Sequence, residues 1–121
     1  MRYVILLAVE PGDWDDAAAA EHQWYFEAHQ AFEAFVDEHG RRTSSAALAD
    51  PGMATTLRVR RGSAEITVTD GPFVQTVESI GGYYDVELPD LDVALTAARI
   101  LAPGYAVEVR PVVQIEGYRS A

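Results

Sequence analysis

Two side chains in this sequence have the chemistry to handle a proton between them: His29 and Asp70. An imidazole changes charge near neutral pH, and a carboxylate beside it fixes its tautomer and tunes its proton affinity. His29 stands in line with Tyr25, Phe32 and Val36, at helical spacing. It reads either as an acid/base group or as a half-buried histidine bonded to backbone. Asp70 opens the run Asp70-Gly71-Pro72-Phe73 at the end of a strand-like stretch. It reads either as an orienting carboxylate facing His29 or as turn chemistry, since Asp side chains bond nearby backbone N–H groups. Tyr25, Phe73 and Tyr84, with Trp24 and Tyr83 near them in sequence, have the rings to line a ligand pocket. Core and dimer packing accounts for such aromatics equally well.

Other chemistries are closed off by composition. With no cysteine there is no disulfide, no thiolate nucleophile and no Cys-ligated zinc. The basic side chains are all arginine, so there is no Schiff-base or P-loop lysine. His22 and His29 are seven apart and share a helix face with Phe26 and Glu33, but a metal site needs more ligands than such a pair. No cofactor and no tightly bound metal are expected. His39, beside Gly40, suits a helix terminus, where a cationic side chain is favourable. Gly81-Gly82 lacks the context of a nucleotide loop. Arg58, Arg60 and Arg61 form a cluster that could hold an anion, or simply face solvent.

The elements that must position these residues follow from periodicity. Tyr3–Val9 is a short apolar run, far below transmembrane length, and runs into Glu10-Pro11-Gly12 rather than a cleavage site. It reads as a central strand, and the cytoplasm is the expected location. Asp13, Asp15 and Asp16 offer N-caps for a helix from about Ala17 to Glu38, with Trp24, Ala28, Ala31, Phe32 and Phe35 on its buried face. Gly40 is placed to end it with a C-terminal glycine. A strand is expected over 42–48. Leu57 and Val59, then Ile66 and Val68, alternate with polar residues around Arg61-Gly62-Ser63, the pattern of a hairpin. Tyr84, Val86 and Leu88 alternate in a further strand. Pro89-Asp90 starts a second helix with Leu91, Leu95, Ala98 and Leu101 buried. Pro111 puts the last strand, around Val107–Val113, at an edge or a bulge.

At 121 residues this is one domain, and with 49% of residues apolar it has enough core to fold unaided. The formal charge of −10 argues against direct nucleic-acid or anionic-membrane binding. The element order is the β-α-β-β-α-β ferredoxin-like arrangement of an α+β domain, with an extra hairpin. One sheet covered on one face by two helices needs a second cover, and a homodimer with sheets face to face is the simplest.

Thr69-Asp70-Gly71-Pro72-Phe73, Ile80-Gly81-Gly82-Tyr83-Tyr84, Leu88-Pro89-Asp90-Leu91-Asp92-Val93-Ala94-Leu95, Ala97-Ala98-Arg99-Ile100 and Val107-Glu108-Val109-Arg110-Pro111-Val112 occur in order, with Ala54–Arg60 upstream. In these segments the chain resembles the YCII-related, DGPF-type family over nearly its whole length. The resemblance implies a dimeric α+β barrel of ferredoxin-like fold. It also implies a helix-borne histidine at His29 and a His–Asp pocket with Asp70, serving a small-molecule-binding protein or enzyme. The alternative it carries is a non-catalytic regulatory protein linked to an extracytoplasmic-function sigma factor. Gln75 and Val77 stand where the family often has Glu and Lys, and Ser45-Ala46-Ala47-Leu48 where it often has Gly-Glu-Ala-Leu. Two carboxylates that could have lined a site are therefore missing.

Overall fold

The computed structural model describes residues 1–10, 18–73 and 78–118. The elements run β1 (Arg2–Val9), α1 (Ala19–His39), β2 (Arg41–Ala47), a 3-10 turn (Pro51–Met53), β3 (Thr55–Val59), β4 (Ile66–Asp70), β5 (Ser79–Glu87), α2 (Leu91–Leu101) and β6 (Ala106–Pro111). Four strands form one antiparallel sheet in the order β2-β5-β1-β6, and β3 and β4 pair as a separate hairpin. The apolar run at the start is therefore a central strand. Pro111 sits on the edge strand β6, where its missing N–H costs no inner ladder bond.

Side-chain alternation sends Tyr3, Ile5 and Leu7 of β1, Tyr84 and Val86 of β5, and Val107 and Val109 of β6 to one face. Both helices cover that face, with Phe32 and Val36 of α1 and Ala97 and Leu101 of α2 in the same buried cluster. The opposite face carries Val4, Leu6 and Tyr83, which are only half-buried. It also carries Asp85, buried under a bidentate ion pair with Arg2, whose Nε and Nη2 lie 2.8 and 2.5 Å from the carboxylate oxygens.

The helices turn differently from the sequence expectation. In α1 the buried residues are Ala28, Phe32 and Val36, while Trp24 and Ala31 are exposed. In α2 they are Ala94, Ala97, Ala98 and Leu101, while Leu91 and Leu95 are exposed. The reason is close approach: alanines let a short helix lie near its neighbours, so the small side chains take the inner stripe. Asp90 caps α2, accepting from the Val93 N–H at 3.0 Å. The aspartates 13, 15 and 16 lie outside the described residues, and α1 begins after Ala18 without a side-chain cap.

Gly40 ends α1 as expected of a C-terminal glycine, but with φ −172° rather than in the left-handed region. A Cβ there would lie 1.9 Å from the carbonyl oxygen of Glu87, so glycine is required by the close passage of β5. Gly62 does take a left-handed conformation, φ +83°, in the hairpin turn.

Candidate functional site

His29 lies on the sheet-facing side of α1, and its ring is half-buried. Nδ1 is 2.7 Å from the Tyr84 hydroxyl, and Nε2 is 2.8 Å from the Tyr105 hydroxyl. The Tyr84 hydroxyl also donates to Glu33 Oε2 at 3.3 Å. Glu33 stands one helical turn after His29 and pairs through its other oxygen with Arg42, at the start of β2. Arg42 in turn holds Asp37 with Nε and Nη2 at 2.9 and 3.0 Å. Three elements and the turn before β6 thus meet in one polar chain: Tyr105, His29, Tyr84, Glu33, Arg42.

The donors assign the tautomer. Tyr84 has one hydroxyl proton; given to Glu33, it leaves the phenol oxygen to accept from Nδ1–H of His29. Nε2 then carries the lone pair and accepts from the Tyr105 hydroxyl. The imidazole is neutral in this arrangement. Burial lowers the His29 pKa from 6.5, and the Glu33 charge opposes that shift. Burial also pushes the Tyr105 hydroxyl up to about 12 and raises that of Tyr84, aided by Glu33. The two phenols therefore remain protonated donors through the neutral range.

Tyr25 closes one side of this group. Its ring meets Tyr105 edge-on at 5.3 Å, and its hydroxyl donates to the Gly104 carbonyl at 3.2 Å. Phe32 lies below, 4.5 Å from the Tyr84 ring. Of the candidate residues, His29, Tyr25 and Tyr84 are thus drawn together.

Asp70 is not brought to them. It ends β4 in the separate hairpin, opposite Thr55, and is exposed. Both nitrogens of His29 are occupied by tyrosines, so no His29–Asp70 bond forms within the chain. Nor does the Asp70 carboxylate bond to backbone among the described residues; Gly71, φ +101°, makes the turn, its N–H bonding to the Ala54 carbonyl at 2.8 Å. Phe73 also lies apart. It lines a cavity of about 540 Å³ at the hairpin base, walled by Leu48, Pro51, Met53 and Ile80.

The remaining histidines have ordinary surroundings. His39 Nδ1–H donates to the Phe35 carbonyl at 2.9 Å, and the ring stacks on that of Phe35 at the helix end. His22 is half-buried on α1. Among the described residues no three His, Asp or Glu side chains gather as metal ligands would. No helix there is long and apolar enough to cross a membrane.

The sequence reading missed Tyr105. Its only local signal is a tyrosine just after the Pro103-Gly104 helix stop, aimed by a turn that period counting does not resolve.

Comparison with known proteins adds no assignment. The chain matches no family model, and no curated protein is significantly similar to it. The site must be read from its own geometry.

Proposed function

We propose that this chain is a YCII-related, DGPF-type protein of ferredoxin-like fold, that it works as a homodimer, and that it acts by binding a partner rather than by proton transfer. The β2-β5-β1-β6 order with both helices on one face supports the ferredoxin-like reading. The half-covered face bearing Val4, Leu6 and Tyr83 supports a second subunit as its cover.

One observation carries the non-catalytic reading: both ring nitrogens of His29 are engaged by tyrosine hydroxyls, and Asp70 stands on another sheet. A general base needs a nitrogen within reach of a substrate proton. Here the imidazole is a linker between β5 and the turn before β6. The resemblance then points to regulation, as a surface-acting partner in a sigma-factor pathway.

A second reading, a small-molecule-binding protein or enzyme, has its own support in the 540 Å³ cavity with its apolar wall. Soaking or thermal-shift screening with apolar molecules separates the two, because only the second predicts a stabilising ligand. Light scattering tests the dimer. Twice 13.2 kDa is expected at micromolar concentration, and a single-chain mass contradicts it.

A further inference from the structure

The hairpin is amphipathic, and its apolar face has no cover among the described residues. In its register Leu57 pairs with Val68 and Val59 with Ile66, so these four side chains share one face. They are 57–63% exposed, and none joins the core cluster. Thr56, Arg58, Thr67 and Thr69 occupy the other face. A two-stranded ribbon alone is marginally stable in water, and four exposed aliphatics on one face call for a cover.

Charge selects the cover. Arg60 and Arg61 stand at the ribbon's tip, and neither is in an ion pair among the described residues. Glu65 offsets one of them. Asp70 stands at the base, on the same face as Leu57 and Val68, and its carboxylate makes no ion pair among the described residues. Residues 55–70 hold three arginines, Glu65 and Asp70, a net +1, which leaves −11 of the total −10 for the rest of the chain. The ribbon is therefore basic at one end, acidic at the other and apolar between. A two-fold axis across it superposes unlike ends and buries like faces.

We propose that the β3–β4 hairpin is a docking arm for a second copy of this chain, its apolar face packed antiparallel on the same face of the partner's arm, with Arg60 and Arg61 meeting Asp70 of the partner subunit. This rests on the homodimer reading and adds to it a surface separate from the four-stranded sheet. It also gives Asp70 a function that does not involve His29.

The test is a sedimentation-equilibrium comparison of the wild-type chain with three variants: Leu57→Asp/Val68→Asp, Arg60→Asp/Arg61→Asp and Asp70→Arg. The apolar double variant should raise the dimer dissociation constant by about tenfold or more with circular dichroism unchanged. Each charge variant alone should weaken the dimer, and mixing the two should restore a heterodimer. The charge sites are exposed, so this exchange decides the matter even if the apolar variant fails to fold. Wild-type affinity in all variants, or no preferential mixing, overturns the arm while leaving the sheet-mediated homodimer standing. A wild-type monomer overturns both.

Discussion

His29 Nδ1 and the Tyr84 hydroxyl are 2.7 Å apart, joined across 55 positions of sequence. The bond ties the middle of α1 to the middle of β5. On its far side the same ring holds Tyr105 at 2.8 Å, so a single imidazole fixes how the helix sits on two parts of the fold. Its charge state is therefore a structural variable.

Among the described residues Glu33 is the charge that acts on this ring, and it favours the protonated form. Glu33→Gln should lower the His29 pKa below its wild-type value, itself below 6.5. Proton-detected titration of the ring resonances reads the shift. An upward movement contradicts the assigned geometry.

The same depression makes stability depend on pH. The unfolded chain binds a proton at His29 near pH 6.5, while the folded chain resists it. The contribution is present above pH 6.5 and is lost as pH falls through the lower folded value. His29→Gln should flatten this part of the stability profile, measured as denaturant midpoints through the acid side of neutrality. An unchanged slope contradicts the prediction.

Phe32 is fully buried between α1 and the sheet, its ring 4.5 Å from that of Tyr84. Phe32→Ala should cost about 3–5 kcal/mol in denaturant unfolding, from lost burial and the cavity left behind. A loss under about 1 kcal/mol would place the core elsewhere.

Gly40→Ala sets a methyl against the Glu87 carbonyl, and backbone must move to admit it. The expected loss is about 1–3 kcal/mol or more. Gly62→Ala meets no atom within 4 Å and suffers only its left-handed φ, so it should cost less. Equal midpoints for the two variants contradict this ranking.

Much of this architecture is legible in the residues. Continuous apolar β1, the alternation of Leu57–Val59 with Ile66–Val68, the Asp90 cap and Pro111 at an edge all follow from local chemistry. What is not legible depends on distance between elements. Leu91 and Leu95 outrank Ala94 and Ala97 in hydrophobicity, yet the alanines are buried because close contact selects small side chains. For Asp70, the local turn is readable as Asp-Gly-Pro, but which sheet its strand joins is a tertiary fact. Hence His29 and Tyr84 were each identifiable as site candidates, while the bond between them and the part played by Tyr105 were not.

His29 is a structural link whose two partners are tyrosines, independent of Asp70. Its most direct test is the His29 imidazole titration, followed by NMR in the wild-type chain and in Asp70→Asn. The same midpoint is expected in both, below 6.5, because Asp70 lies on the separate hairpin and both ring nitrogens face tyrosines. A lower midpoint in Asp70→Asn would show the carboxylate acting on the ring and would contradict it.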